Sequence, residues 1–162
     1  MVKRIDIAGL VAAVGTMYPP PYDAPCRKRE RRKLGDAAGL TQFGVNLLRL
    51  APGVWSAQRH WHTREDEFIF VVSGEVVLVT EGAEEVLRTG DATGFKGGEP
   101  NGHCLQNRSS ADAVVLEVGS RLQDDGAFYP DIDLIAPADK SAMYAPRDGT
   151  PYTDLKRRGP EA

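Results

Sequence analysis

The stretch RHWHTREDEFIFVVSGE contains two of the three histidines in the chain, and their spacing restricts the local fold. His60 and His62 are one residue apart, so in a strand both side chains lie on one face, roughly 6–7 Å apart along the backbone. Glu67 opens a second run rich in β-branched and aromatic residues, which ends at Ser73-Gly74. The polar residues 63–66 between the runs are suited to a turn. The spacing therefore predicts a hairpin in which two imidazoles and one carboxylate converge, a ligand set suited to a metal ion.

The region from Phe43 to about Val118 has the pattern of a succession of short strands. The predicted strands are Phe43–Leu50, Gln58–His62, Glu67–Val72, Val76–Thr80, Glu84–Leu87, Ala92–Phe95, His103–Asn107 and Ala113–Val118. Turn-forming pairs such as Pro52-Gly53 and Gly97-Gly98 separate them. Many short strands at regular spacing are typical of an all-β sandwich or barrel. We therefore predict one β domain over residues 41–136.

The two segments that flank this β region differ from it in composition. Residues 1–40 form an N-terminal arm with a short predicted helix between Asp6, a suitable N-cap, and Gly15, a suitable stop. The apolar residues that recur there at helical spacing are Ile7, Leu10, Val11 and Val14. Residues 137–162 are polar and proline-bearing, so we expect an irregular tail that packs along the barrel or frays. Neither flank is expected to form a separate domain.

Composition and charge limit the partners of the chain. A length of 162 residues and a net charge of −3 suit a soluble globular protein and give no general preference for nucleic acid. No apolar run approaches the roughly 20 residues needed to cross a membrane. The basic run Arg27–Lys33 indicates either a phosphate or nucleic-acid contact or a solvated, exposed segment, and the lack of interleaved aromatic residues favours the second. Cys26 and Cys104 do not make a disulfide framework, so we expect reduced thiols in a cytoplasmic protein.

The histidine pair and its surroundings resemble the first of two sequence motifs of the cupin superfamily. His60-x-His62, Glu67 after four residues and Gly74 after six more match that motif, although the leading Gly53 lies one residue too far upstream. The resemblance covers roughly residues 43–118. It implies an all-β double-stranded β-helix, a small jelly-roll barrel, which here carries the N-terminal arm and the irregular tail.

The second cupin motif is matched less closely. The residues in place are Gly90, Gly98, His103 and Asn107. Lys96 stands where the family has proline, and His103 lies two residues beyond the usual position, which Asn101 occupies. A shift of two residues keeps the same face of a strand, so His103 is still expected to point inward. Asn101 is then a weaker candidate for a ligand or a substrate contact.

Together the resemblance and the spacing imply a divalent transition metal held by His60, His62, Glu67 and His103. Three imidazoles and one carboxylate suit Mn, Fe, Ni, Co or Zn, and the type of ligand does not choose among them. The candidate catalytic residues are Glu67, at the metal, and Glu117, the lone charge in the apolar run VVLEV. Glu117 is either an inward acid or base near the metal or a paired structural carboxylate. Cys104 follows His103 and should face away from the metal.

Alternation along the hairpin also predicts an apolar outer face. If the histidines and Glu67 point inward, the residues that point outward are Trp61, Phe68, Phe70 and Val72. A monomer rarely leaves such a patch bare. We expect either a second subunit or the N-terminal arm to cover it, and homodimers are common in the superfamily that the chain resembles.

Three classes of function fit a centre of this kind. The first is isomerisation of a small sugar or sugar phosphate, which the small bacterial cupins that this chain resembles are often presumed to catalyse. The second is an Fe-dependent dioxygenase, and the third is a non-catalytic small-molecule binding or sensing module. We favour the first. Its phosphate would need a cationic partner, for which the candidates near in sequence are Lys96, Arg49, Arg59 and Arg64.

Overall fold

The computed structural model describes residues 4–161 and consists largely of short antiparallel strands. In chain order they are β1 (Ala13–Val14), β2 (Glu30–Lys33), β3 (Phe43–Leu50), β4 (Trp61–His62), β5 (Glu67–Ser73), β6 (Glu75–Thr80), β7 (Ala83–Arg88), β8 (Ala92–Phe95), β9 (Cys104–Gln106), β10 (Ala113–Ser120), β11 (Ala127–Tyr129) and β12 (Leu134–Ala136). A 3₁₀ turn spans Ala24–Cys26, and a short helix, α1, spans Leu34–Ala37. No helix among residues 4–161 is long and apolar enough to cross a membrane.

The strands form three sheets around two apolar cores. The largest sheet has the order β1-β2-β3-β10-β5-β8, and the second has the order β7-β6-β9. Side chains from both sheets form the main core, in which Leu48, Val71 and Val115 are fully buried. The third sheet, β12-β11-β4, adjoins a second core around Tyr18 and Leu134. Strands that are distant in sequence are neighbours in space, which is the connectivity of a jelly roll, so the expected all-β fold is confirmed.

The strands predicted between residues 43 and 118 are present, with β3 and β8 at their predicted bounds. The segment Gln58–His62 differs, because only its last two residues are in a strand and His60 forms an isolated bridge with His103. Four strands were not predicted, namely β1, β2, β11 and β12. They are two to four residues long, too short for alternation to be read from sequence.

The helix predicted between Asp6 and Gly15 is wrong. The chain makes a turn near Ile7 and then enters β1, which pairs with β2. The apolar residues of the predicted helix have no core to pack against, since Val11 is 92% exposed. A helix of so few residues is marginal in water unless one face is buried, and pairing at the edge of the large sheet satisfies the backbone instead.

The expectation of a solvated basic run is also wrong in part. Glu30–Lys33 is strand β2, and Arg29 beside it is only 8% exposed. The Arg29 guanidinium donates hydrogen bonds to the carbonyl oxygens of Gly15 and Ser56. These hydrogen bonds offset the cost of removing the Arg29 charge from water. Arg31, two residues further along, lies on the same side of the chain and lines the interior of the barrel.

The C-terminal tail is irregular, as expected, and it packs on the rest of the protein. Ala145 is fully buried and forms a bridge with Ile135, and Arg158 forms a bridge with Thr16 of the arm. The arm and the tail thus contact each other beside the barrel.

Candidate metal centre and its cavity

Three of the candidate ligands lie together: His60 just before β4, His62 in β4 and Glu67 at the start of β5. The Nε2 atoms of His60 and His62 lie 3.9 Å and 3.6 Å from Oε2 of Glu67. Ligand atoms of these three residues all lie within 4.8 Å of one another, as a shared ion requires. The predicted hairpin is wrong, because β4 pairs with β11 whereas β5 pairs with β10 and β8 in another sheet. The two histidines still share a face through strand alternation, and the short segment after β4 brings Glu67 beside them.

His103 is brought to the same place by backbone pairing. It exchanges two backbone hydrogen bonds with His60, of 3.1 Å and 2.8 Å, and its Nε2 lies 2.8 Å from Oε2 of Glu67. Asn101, the alternative at the family's usual position, uses its side-chain oxygen to accept a hydrogen bond from the backbone N–H of Glu81. The two-residue shift in the motif thus leaves His103, rather than Asn101, against the carboxylate.

Hydrogen bonds behind two of the rings decide which nitrogen carries the proton. Nδ1 of His60 lies 2.9 Å from the carbonyl oxygen of Gln58, and Nδ1 of His62 lies 2.6 Å from Oδ2 of Asp125. Both partners are acceptors, so in each neutral ring Nδ1 carries the hydrogen and Nε2 has a lone pair. Two lone pairs therefore face the Glu67 carboxylate. Acceptors in such an arrangement fit a cation, and the set of nitrogen and oxygen donors suits a divalent transition metal.

Burial and charge shift the pKa values at this centre. Burial lowers the pKa of His60 to about 4 and outweighs the attraction of Glu67. Burial alone would raise the pKa of Glu67, but the hydrogen bond from His103 and the nearby histidine charges outweigh it and lower that pKa to about 2. At neutral pH the centre thus combines a neutral His60 with an ionised carboxylate, the protonation states that metal binding requires.

The candidate ligands line a cavity of about 550 Å³. Glu117 on β10 also lines it, and both of its carboxylate oxygens accept hydrogen bonds from Arg31, at 2.7 Å and 2.9 Å. Glu117 therefore has both the inward position expected of an acid or base and the partner expected of a structural carboxylate. The remaining cationic side chains that line this cavity are those of Arg29, Lys33, Arg121 and Lys140.

One wall of the cavity is formed by three tyrosines. Tyr18 and Tyr129 are nearly fully buried, with ring centroids 5.6 Å apart, and Tyr144 packs against both. The ring of Tyr129 stacks on His60 at 5.4 Å. Burial raises the pKa of all three phenols, so they stay neutral at physiological pH and offer hydroxyl groups beside the centre.

The cations expected from sequence to bind a phosphate do not line this cavity. Arg49 pairs with Glu30 and Asp112, and Arg59 with Glu81 and Asp131. Arg64 pairs with Asp124. Lys96 lines a second cavity of about 60 Å³, whose lining also includes His62, Glu67 and His103. Nearness in sequence to the histidines was therefore a poor guide for the three arginines, which pair with carboxylates outside the larger cavity.

Sequence reasoning missed two residues of the site, namely Arg31, which contacts Glu117, and Asp125, which contacts His62. Arg31 lies 86 residues from its partner Glu117, and Asp125 lies 63 residues from His62. Reading the basic run as a strand would have placed Arg31 and Lys33 on one face. Nothing local indicates Asp125, which follows from the fold alone.

Cys104 is a buried residue that also contributes to the lining of the cavity. It is 2% exposed, and its Sγ lies 3.8 Å from Nε2 of Gln106. Burial raises the pKa of both Cys104 and Cys26 to about 11. Both are therefore buried thiols with little thiolate at neutral pH.

Comparison with known proteins finds a family and several solved structures that are similar to this chain. The family model for the cupin domain matches residues 46–119. A sugar phosphate isomerase of the cupin superfamily from Silicibacter pomeroyi is 39% identical, and the match covers 94% of this chain and 98% of that protein with a TM-score of 0.85. None of the curated proteins matches the sequence.

Two further solved structures show how far the likeness extends. A proposed sugar phosphate isomerase from Acidithiobacillus ferrooxidans is 32% identical over 67% of this chain and 69% of that one, with a TM-score of 0.64. A polyketide cyclase from Streptomyces resistomycificus is 24% identical over 74% of this chain and 80% of that one, with a TM-score of 0.58. The second likeness concerns the fold alone, and it illustrates that one fold supports different reactions.

Proposed function

The chain belongs to the cupin superfamily, and we propose that it is a metal-dependent isomerase of a sugar phosphate. The observation that carries the proposal is one cavity that joins the candidate metal ligands to Glu117 and to a group of cationic side chains. A sugar phosphate needs these three features, because its carbonyl, its transferable proton and its phosphate lie on one small molecule. The similarity to sugar phosphate isomerases supports the same substrate class.

The proposed metal ligands are His60, His62, Glu67 and His103, and the ion is one of Mn, Fe, Ni, Co or Zn. When bound, a divalent cation would polarise a carbonyl or hydroxyl oxygen of the substrate. Glu67 contributes to catalysis as a ligand whose ionised carboxylate holds the ion beside the substrate.

Glu117 is the proposed acid and base. One of its oxygens takes the proton from the hydroxyl-bearing carbon beside the substrate carbonyl and returns it to the former carbonyl carbon. The hydroxyl proton passes from one substrate oxygen to the other in the same sequence, so the carbonyl moves by one position with no net gain or loss of protons. The bidentate contact with Arg31 fixes the orientation of the carboxylate. The neutral phenols of Tyr18, Tyr129 and Tyr144, which line the same cavity, bind substrate hydroxyl groups.

The phosphate is proposed to bind Lys33 and Arg121, with Arg31 deeper in the cavity. Side chains of Lys33 and Arg121 are 57% and 39% exposed, so they can meet an anion without large desolvation. Each makes an ion pair with Asp36 at the protein surface. Exposed pairs of this kind are weak, and an incoming phosphate can replace them.

The reaction is tested by incubating the metal-loaded protein with a panel of aldose and ketose phosphates and following isomerisation by nuclear magnetic resonance. Glu117→Gln should lower kcat by about 10²- to 10⁴-fold with unchanged metal content. Glu84→Gln is the matched control, since Glu84 pairs with an arginine at the surface, and it should leave kcat unchanged. Oxygen consumption without isomerisation would favour a dioxygenase, and tight binding without turnover would favour a binding module.

The metal centre is tested separately by measuring the metal content of the purified protein and of His62→Ala. We expect metal in the first and a clear loss in the second. Equal and substoichiometric metal in both proteins would contradict the assignment of the ligands.

A further inference from the structure

We propose that Asp125 is a positioning residue that fixes the tautomer and orientation of His62 for metal binding. Its Oδ2 lies 2.6 Å from Nδ1 of His62, on the side of the ring opposite Glu67. The Asp125 side chain is only 5% exposed. The proposal concerns the affinity of the centre for a metal ion and therefore does not depend on which reaction the centre catalyses.

The other oxygen of Asp125 is held by the turn that follows β4. Oδ1 accepts hydrogen bonds from the backbone N–H groups of Arg64 at 2.8 Å and Glu65 at 3.1 Å, and from the hydroxyl of Thr63 at 3.2 Å. The backbone is also tied to this turn, because Thr63 and Gly126 exchange two hydrogen bonds. Asp125 thus has a fixed position and a fixed orientation, with one oxygen left to face His62.

A carboxylate in this position determines which nitrogen of His62 is available. Ionised Asp125 only accepts hydrogen bonds, so the hydrogen of the neutral imidazole sits on Nδ1 and the Nε2 lone pair faces Glu67. Carboxylates that accept the second N–H of a metal-binding histidine fix its tautomer and raise its basicity. His60 obtains the same tautomer from the Gln58 carbonyl, but a carbonyl is neutral, so His62 is the more strongly supported ligand.

The alternative is that His62, Glu65 and Asp125 themselves hold an ion, since their potential ligand atoms also cluster. Existing hydrogen bonds favour positioning instead. Oδ1 of Asp125 has three donors, and Oε1 of Glu65 accepts the backbone N–H of Leu122 at 2.6 Å. Oε2 of Glu65 lies 4.0 Å from Nδ1 of His62, beyond a hydrogen bond. An ion bound there would also need a lone pair on Nδ1 of His62, the nitrogen that carries the hydrogen directed at Asp125.

The decisive variant is Asp125→Asn. Its Oδ1 can keep the hydrogen bonds from Thr63, Arg64 and Glu65, which directs the new amide N–H toward Nδ1 of His62. A donor at that point requires a lone pair on Nδ1, and the imidazole hydrogen must then move to Nε2, the atom needed for the metal. Glu65→Gln is the matched control, because it removes the other carboxylate near the same nitrogen without placing a donor within reach.

Two measurements test the proposal, with Co²⁺ alone as the probe. Calorimetric titration of the metal-free full chain should give a Kd that is roughly 10- to 100-fold higher for Asp125→Asn and nearly unchanged for Glu65→Gln. Nitrogen-15 spectra of the metal-free proteins should show the Nδ1–H tautomer of His62 in the parent and in Glu65→Gln, and the Nε2–H tautomer in Asp125→Asn. Circular dichroism checks that the variants are folded.

The outcomes are distinguishable from failure of the proposed reaction, since neither readout uses a substrate. An unchanged Kd in folded Asp125→Asn would overturn the proposal. An equal loss of affinity in Glu65→Gln would overturn it in favour of an ion bound by the second cluster. If Asp125→Asn does not fold, the parent protein still decides, because an Nε2–H tautomer of His62 in the metal-free parent would overturn the proposal by itself.

Discussion

The protonation of His60 connects the centre to the stability of the protein. Burial lowers the pKa of this residue to about 4 in the folded state, against an ordinary value of 6.5. Between these values the unfolded chain binds a proton that the folded chain does not, so stability is complete above pH 6.5 and falls as the pH falls toward 4. Glu67, whose pKa is lowered to about 2, adds a further loss below its ordinary range.

The pH dependence is measured as the free energy of urea unfolding between pH 7 and pH 4.5, with a chelator to keep the protein metal-free. His60 should contribute a slope of up to about 1.4 kcal/mol per pH unit. His60→Gln should reduce the slope by this contribution, because glutamine does not titrate. An equal slope in the two proteins would show that His60 is not the group responsible.

At the scale of single elements, the turn between β5 and β6 depends on a close backbone approach at Gly74. Gly74 has a φ of 78°, and a Cβ there would lie 2.6 Å from the carbonyl oxygen of Asp112. Gly74→Ala should therefore combine strain at positive φ with a clash, at a cost of about 2–4 kcal/mol in the free energy of unfolding. The difference in the free energy of unfolding is measured by chemical denaturation, in which an unchanged m-value shows that only the stability has changed.

Gly82 provides the control for this prediction. It lies in the turn between β6 and β7 with a φ of 75°, but a Cβ there would meet nothing within 4 Å. Gly82→Ala should cost only the strain, about 1 kcal/mol. Equal costs at the two positions would mean that the approach of Asp112 has no role.

The contact between β2 and β10 is the second element-scale prediction. Arg31 and Glu117 are 27% and 18% exposed and form a bidentate pair across the intervening strand β3. Arg31→Met should cost about 2–3 kcal/mol, since it leaves a partly buried carboxylate without its partner. Adding Glu117→Gln should restore part of the loss in a double-mutant cycle. Strictly additive effects would show that the two side chains are not coupled.

These elements also show what sequence can and cannot reveal. The convergence of His60, His62 and Glu67 was predictable, because alternation over Glu67–Ser73 and the spacing of the two histidines are local patterns. The hairpin expected from the same pattern was not formed, since β4 and β5 pair in different sheets. Strand β2 was not predictable, since every residue of the basic run is charged and no polar–apolar alternation can be seen in it. Arg31 and Asp125 reach the site through pairing over long sequence separations, which no local pattern encodes.

At the scale of the whole molecule, the outer face of the large sheet is apolar and uncovered in the described chain. Phe68, Phe70 and Val72 are 45%, 37% and 43% exposed, and the strand register places Val118 and Leu116 beside the two phenylalanines. Trp61 is not part of this face, because it lies in the third sheet and stacks on Phe128 at 5.0 Å. This corrects the composition of the patch that sequence alternation predicted.

The N-terminal arm, one of the two expected covers, does not shield these side chains. Its strands β1 and β2 extend the sheet beyond β3, whereas Phe68, Phe70 and Val72 lie on β5, which is separated from β2 by the two strands β3 and β10. This holds for the arm from residue 4 onward, because residues 1–3 lie outside the described part of the chain. The remaining expectation is a second copy of the chain, which would bury the same face on each subunit around a two-fold axis.

We therefore predict that the protein is a homodimer through this face, and sedimentation velocity at micromolar concentration should show the dimer mass. Phe68→Lys with Phe70→Lys should shift the protein to monomer, because each subunit would bring two unpaired charges into the contact. Val86→Lys is the control, since Val86 is 40% exposed on β7 of the second sheet, and it should leave the dimer intact. A monomeric parent protein would contradict the prediction, and dissociation by Val86→Lys alone would place the contact on the second sheet instead.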